Sequence, residues 1–319
     1  MSGKVLLECV NLKKYFDTPG GTLHAVDDVS FKLCEGKTLG VVGESGCGKS
    51  TLGRTILRLT PSTGGKIIFD GEDITEKGSK DMIKLRQKMQ MIFQDPFSSL
   101  DPKMTVSQII EEPLRIHKVY KNKEERSKRV NELMEIVGLD DRYVNIYPHE
   151  LDGGRRQRIG IARSIALNPK FIVCDEPVSA LDVSIQAQIL NLMMDLKEEF
   201  GLTYIFVTHD LSVVKHISDD ILVLYLGKMV EMTSSDRLFE NPVHPYTKAL
   251  LSAIPIPDIT FKGKEAEVMK GEVTSPIEPP EGCRFAARCP MPSERCFKET
   301  PEFVEVEENH FVACHKCKK

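Results

Sequence analysis

Along most of the chain, apolar residues come in short blocks, and the spacing within them switches between two periods. VLLECVNL and TLHAVDDVSFKL read as β-strands, and TLGVVG is a third short β-rich run. A glycine loop, GESGCGKS, follows it directly, and then TLGRTILRL at helical spacing. GGKIIFDG and QMIF predict two further strands. From about Met104 to Leu139 the spacing is three-to-four, in VSQIIEEPLRIH and KEERSKRVNELMEIVGL, which predicts helices. The two periods then alternate. RRQRIGIARSIAL, SIQAQILNLMMDLKEEF and LSVVKHI predict helices, and FIVCD, TYIFVTH and DILVLYL predict strands. Alternating strands and helices predict an α/β fold with a mainly parallel sheet covered on both faces, into which the helical stretch is inserted. After Glu231 the periodicity weakens and prolines multiply, so a small C-terminal domain is expected there.

The 319 residues are enough for a large core and two domains. A net charge of −4 gives no electrostatic footprint for nucleic acid. No apolar run approaches the ~20 residues that cross a bilayer, and the first residues, MSGKVLLECVN, lack a secretory signal's apolar stretch. The expectation is a soluble cytoplasmic protein whose link to any membrane runs through a partner.

Gly43 to Ser50, with Thr51 after it, fits the pattern G-x-x-x-x-G-K-[ST] between a predicted strand and a predicted helix. Gly43, Glu44, Ser45, Gly46, Cys47 and Gly48 would wrap a nucleotide's phosphates with backbone N–H groups. Lys49 would reach the β- and γ-phosphates, and the Ser50 hydroxyl would bind Mg²⁺. FIVCDEP supplies a second element: Asp175 emerges at the carboxyl end of a buried strand, where it would hold Mg²⁺, and Glu176 beside it would polarise an attacking water. The bland alternative is a strand end with two solvated acids. His209 ends the strand TYIFVTH, at an edge where it could contact a γ-phosphate; a lone histidine is otherwise structural or exposed. Gln94 follows QMIF and could reach the metal or the water, although by itself it reads as a surface glutamine.

Five of nine cysteines, Cys283, Cys289, Cys296, Cys314 and Cys317, crowd the end of the chain. In a reducing compartment that crowding suggests metal rather than disulfides. The first three lack the close C-x-x-C pairing of structural zinc, and thiolates drawn from loops suit an iron–sulfur cluster. Zinc and unligated thiols remain the alternatives.

GESGCGKST, the glutamine of MIFQDP, LDGGRRQR, VCDEP, SALD and VTHD stand in the order found in ATP-binding cassette ATPases, which the chain resembles over about residues 4–235. The resemblance implies a P-loop ATP-binding cassette with a RecA-like core, an antiparallel β region and an inserted helical subdomain at about 100–157. It makes Gln94 the Q-loop glutamine and a catalytic participant with His209, the switch histidine. Glu176 becomes the general base beside Asp175, and Asp182 the D-loop aspartate. Phe16 falls where an aromatic ring stacks on adenine, with Tyr15 the alternative. Mg²⁺ would be held by Ser50, Gln94 and Asp175.

ENPVHPYTKALLSAIP and GEVTSPIEPPEGCRFAARCP are similar to the tail of oligopeptide and dipeptide importer ATPases, and VCDEPVSALDVSIQAQ to the F-type member of their two-ATPase systems. This implies a cassette over 1–235 and a cysteine-containing C-terminal domain over 236–319. The function implied is ATP hydrolysis powering peptide import at the cytoplasmic face of the membrane. Implied partners are two permease subunits, a paralogous ATPase forming a heterodimer (a homodimer being the alternative) and, indirectly, a solute-binding protein; nucleic acid is not among them. Rival readings are import of nickel or oligosaccharides, a soluble cassette ATPase acting on nucleic acid, and a nucleotide sensor with little turnover. Some members carry a [4Fe-4S] cluster on this cysteine pattern, here Cys283, Cys289, Cys296 and Cys314, with Cys317 as the alternative fourth ligand.

The family's signature is usually LSGGQ, and it holds the γ-phosphate of ATP on the opposite subunit. Here it reads Leu151, Asp152, Gly153, Gly154, Arg155. Asp152 stands where the serine does, and a carboxylate near that phosphate should repel it by roughly 1–4 kcal/mol. Arg155, Arg156 and Mg²⁺ would offset part of that; two unequal ATP sites are therefore expected, the weaker one facing Asp152, the alternative being that Asp152 turns away, is protonated or is an engineered change.

Overall fold

A computed structural model of the protein describes residues 3–253 and 275–317. The start of the GEVTSP stretch and the last residues of the expected C-terminal domain lie outside the described residues. The strands are β1 (Val5–Thr18), β2 (Gly21–Cys34), β3 (Thr38–Val42), β4 (Gly64–Phe69), β5 (Glu72–Asp73), β6 (Met89–Ile92), β7 (Phe171–Asp175), β8 (Thr203–Val207), β9 (Asp220–Tyr225), β10 (Lys228–Ser234), β11 (Val304–Glu307) and β12 (His310–Val312). The α-helices are α1 (Lys49–Ile56), α2 (Ser79–Lys88), α3 (Val106–Ile116), α4 (Lys123–Ile136), α5 (Gly153–Ile165), α6 (Val183–Phe200), α7 (Leu211–Ile217), α8 (Ser235–Glu240), α9 (Pro245–Ser252) and α10 (Glu294–Lys298).

The chain forms two compact units. The first comprises the described parts of Met1–Cys34, Thr38–Thr75 and Val207–Lys319. One of its sheets is antiparallel, in the order β2-β1-β4-β5. A second run of strands has the order β11-β12-β10-β9-β3, in which β3 and β9 are parallel and the other pairs antiparallel. Every residue of β3 is buried, as a strand covered on both faces requires. The core here joins Val42, Val223 and Tyr225 to Tyr246 of α9 and Phe285. Tyr225, Tyr246 and Phe285 meet edge-on or tilted, with centroids 4.7–5.4 Å apart, a favoured geometry for aromatic quadrupoles.

A buried carboxylate ties the end of the chain to this unit. Glu231 on β10 accepts hydrogen bonds from the Val243 and His244 N–H groups at 2.8 and 2.9 Å and lies 2.7 Å from His310 Nε2 on β12. Burial works to raise its pKa, but these bonds to the charged form win and hold it below the usual carboxylate value.

The second unit comprises Glu35–Lys37 and Glu76–Phe206. Its strand order is β8-β7-β6, with β6 and β7 parallel and Ile92 paired with Cys174. The predicted helical stretch is α3 and α4. A capping box at Thr105 and Gln108 starts α3, and Asn122 caps α4.

Candidate functional site

In the first unit, β3 runs straight into the glycine loop and α1. Gly43 and Gly48 have φ values of 152° and 103°. A Cβ on Gly43 would stand 2.2 Å from the Leu224 carbonyl oxygen, and one on Gly48 1.9 Å from that of Ala25. Both glycines are thus required by backbone packed directly against the loop. The buried Lys49 reaches back over it, donating to the carbonyl oxygens of Gly43 at 2.7 Å and Glu44 at 2.9 Å. That curls the loop around its own ammonium group, the shape that presents backbone dipoles and a cation to an anion.

His209 follows Thr208, whose N–H donates to the Val41 carbonyl at 3.2 Å, so the histidine emerges beside the end of the strand that feeds the loop. It is exposed, and Asp210 after it caps α7. Of the two candidates for the adenine platform, Tyr15 is committed elsewhere. It stacks on His24 at 4.1 Å and donates to Asp27 Oδ1 at 2.6 Å. Phe16 is half-buried, with the Lys14 ammonium 4.5 Å from its ring centroid.

In the second unit, β6 and β7 end side by side. Asp175 closes β7 with its side chain fully buried. Glu176, one residue on, has a φ of 46°, a conformation that costs a non-glycine residue energy and is found at sites where surrounding structure enforces it. Gln94 follows β6 and donates through Nε2 to Glu176 Oε2 at 3.0 Å. The structure therefore brings together two residues 82 positions apart that were read separately. The buried carboxylate oxygen of Asp175 and the amide oxygen of Gln94 are hard donors of the kind Mg²⁺ prefers, so their donor chemistry fits that ion.

Asp152 is the N-cap of α5. Its Oδ1 accepts from the Arg155 N–H at 2.8 Å, and its Oδ2 is ion-paired with the Arg155 guanidinium. The carboxylate thus has a local role, at the end of a helix whose dipole favours negative charge. Gly154 packs on α6: a Cβ there would lie 2.7 Å from Ile185 Cγ2, and one on Gly153 3.1 Å from Leu181. Asp182 caps α6, accepting from Ile185 N at 3.1 Å and Ser184 Oγ at 2.7 Å, and these bonds hold its carboxyl below the usual range. Gly153 and Gly154 therefore neighbour the Leu181–Ile185 stretch that contains Asp182.

The cluster expectation is corrected. Cys283, Cys289, Cys296 and Cys314 do line one cavity, but its volume is about 20 Å³, roughly the room of a single water. Among the described residues, no group of three or more His, Cys, Asp or Glu side chains is arranged to hold a metal ion. Burial pushes the Cys283 thiol up to about 11 and raises Cys289. A hydrogen bond with Cys317 lowers the Cys314 thiol to about 6. Neither iron–sulfur nor zinc is supported.

Sequence reasoning missed the setting of Glu44. Its N–H donates to the Tyr246 hydroxyl at 2.9 Å, and its carboxylate meets Arg288 at 2.7 and 3.0 Å. Those partners lie 202 and 244 positions away, beyond any local pattern; the one signal was an acid inside a phosphate loop.

The ABC transporter family matches residues 26–179, and the oligopeptide/dipeptide transporter C-terminal region matches 230–296. The oligopeptide transport ATP-binding protein AppF of Bacillus subtilis is 52% identical, covering 98% of this chain and 97% of its own. OppF of Escherichia coli, also an oligopeptide transport ATP-binding protein, is 50% identical, covering 98% and 96%. Among solved structures, the dimeric post-hydrolysis state of the ATP-binding cassette MJ0796 bound to ADP and Pi has a TM-score of 0.67 at 31% identity, covering 72% of this chain and 99% of that one. With an α/β cassette fold, and with relatives half identical from end to end, the chain belongs to the ABC transporter ATP-binding proteins, in the branch that carries the oligopeptide/dipeptide transporter C-terminal region.

Proposed function

We infer that this protein is the ATP-hydrolysing subunit of a membrane importer of oligopeptides or dipeptides. The observation that carries hydrolysis is Glu176, held at 3.0 Å by Gln94 in a strained backbone conformation directly after the buried Asp175. A base fixed in this way is preorganised to orient and deprotonate a water. The peptide assignment is supported by relatives named as oligopeptide transport ATP-binding proteins, half identical over almost the whole chain.

In this reading the loop amides of Gly43–Ser50 and Lys49 bind the phosphates of ATP, Thr51 extends that contact, and Phe16 takes the adenine. Ser50, Gln94 and Asp175 would hold Mg²⁺, which would supply positive charge against the phosphates. Glu176 takes the proton of the attacking water, and His209 donates to the γ-phosphate. Gly153 and Gly154, with Asp152 and Arg155, face the ATP of a paralogous ATPase subunit, and Asp182 lies in the same interface. Closure and reopening of the ATPase pair drives two permease subunits, with a solute-binding protein delivering peptide. Residues 1–235 form the cassette, about 100–157 its helical subdomain, and 236–319 the C-terminal domain. In this reading the subunit sits peripherally, at the cytoplasmic face, through its permeases; among the described residues no helix is long and apolar enough to cross a membrane.

The test is affinity capture of the full chain from its native membranes, followed by peptide uptake in vesicles made from the captured complex. Two permease subunits and ATP-dependent accumulation of a labelled peptide are expected. Capture of nucleic acid, or a complex that accumulates nickel and no peptide, would overturn the assignment.

A further inference from the structure

The phosphate loop carries a carboxylate, Glu44, at its second position, where a polyanion must bind. Like Asp152, it has an arginine. Arg288 approaches it as a fork, Nη1 to Oε2 at 2.7 Å and Nη2 to Oε1 at 3.0 Å, and Nη1 also donates to the Tyr225 hydroxyl at 3.3 Å. Bidentate geometry of this kind fixes orientation as well as charge. The arginine is itself held: it ends a short 3-10 turn, Ala286–Arg288, with its N–H donating to Phe285 O at 3.0 Å. Phe285 is buried among Tyr225 and Tyr246. The Tyr246 hydroxyl accepts from the Glu44 N–H, while the Glu44 carbonyl accepts from Lys49. The residue before the loop's turn is therefore gripped at its side chain and its N–H by the chain's C-terminal region, and at its carbonyl by the phosphate-binding lysine.

We propose that Arg288 is a positioning residue for the phosphate loop: it neutralises and pins Glu44, so that the C-terminal region sets the loop's affinity for nucleotide phosphates. Without the guanidinium, the carboxylate is free to swing toward the phosphates and repel them, and Lys49 loses a fixed carbonyl to rest on. Pairing with Glu44 also drives the guanidinium further toward its charged form. The proposal rests on the loop's holding ATP, which the unaltered chain establishes in the same titration.

The experiment uses the full chain and, for turnover, the assembled transporter. Binding of a fluorescent ATP analogue with Mg²⁺, KM and kcat for ATP, and the thermal unfolding temperature are measured for Arg288→Met, Arg288→Lys and Arg288→Met with Glu44→Gln. Arg288→Met is expected to weaken binding and raise KM by about tenfold with kcat within about twofold, and Arg288→Lys to fall between. Adding Glu44→Gln to Arg288→Met should recover most of the affinity, because the charge to be neutralised is gone. Unchanged affinity in Arg288→Met would overturn the proposal. So would a loss that Glu44→Gln leaves in place, which marks a structural role. If Arg288→Met does not fold, Arg288→Lys with and without Glu44→Gln makes the same comparison.

Discussion

Replacing Asp152 by serine separates the two things its carboxylate can do. As an N-cap it accepts from the Arg155 N–H at 2.8 Å, and a serine hydroxyl can make the same bond. Its ion pair with Arg155 is half exposed on both sides, at 55% and 43%, so that pair is worth no more than about 1 kcal/mol. Asp152→Ser should thus leave stability within about 1 kcal/mol, whereas Asp152→Ala should lose a further ~1 kcal/mol for want of a cap. Electrostatically, a bare carboxylate 4 Å from a phosphate charge would cost about 4 kcal/mol at intermediate dielectric. The guanidinium bound to the same carboxylate cancels most of that, leaving roughly 1 kcal/mol, or a factor of about five in rate. The assay is ATP turnover by the proposed heterodimer carrying this chain's Glu176→Gln, so that only the partner's site works. Asp152→Ser removes at least that net repulsion and should raise turnover about fivefold or more, and Arg155→Ala, which strips the carboxylate of its counter-charge, should lower it. No change in either variant would refute the electrostatic reasoning and leave Asp152 as a cap alone.

Acid should weaken the fold through His244. Burial lowers its pKa from 6.5 to about 4, so the unfolded chain binds the extra proton first; the stabilisation is complete above pH 6.5 and is lost as pH falls toward 4. Chemical unfolding should lose about 2 kcal/mol between pH 7.5 and 5 from this group, and His244→Asn, which can still cap α9, should flatten that slope. An unaltered slope would show that His244 is not the source. Gly154→Ala should cost about 1–3 kcal/mol by driving a Cβ into Ile185, and markedly less in an Ile185→Ala background. Equal costs in both backgrounds, read by urea unfolding, would mean that the contact is not what demands glycine.

What could be read from the chain alone was whatever is local. The Gly43–Ser50 loop lies between a buried strand and a helix because strand, glycines and helix are contiguous. Asp175 and Glu176 were legible because four apolar residues run into them. The pairing of Gln94 with Glu176 required β6 and β7 to end together, which parallel register supplies and spacing does not. The charge of Asp152 sets it against a phosphate, while its hydrogen bond to the Arg155 N–H belongs to helix capping, a pattern visible three residues apart. Cys283, Cys289, Cys296 and Cys314 line one cavity, but its size is a property of packing that spacing does not carry. Arg288 was invisible because nothing in an alanine–arginine–cysteine stretch announces an acid 244 positions earlier.

The central claim is that Glu176 is the base of an ATPase that drives transport, and Glu176→Gln in the assembled transporter tests it most directly. ATP binding should persist, turnover at this chain's site should fall by about 10²-fold or more, and ATP-driven peptide uptake should fall with it. Near-normal turnover at this chain's site would contradict the account.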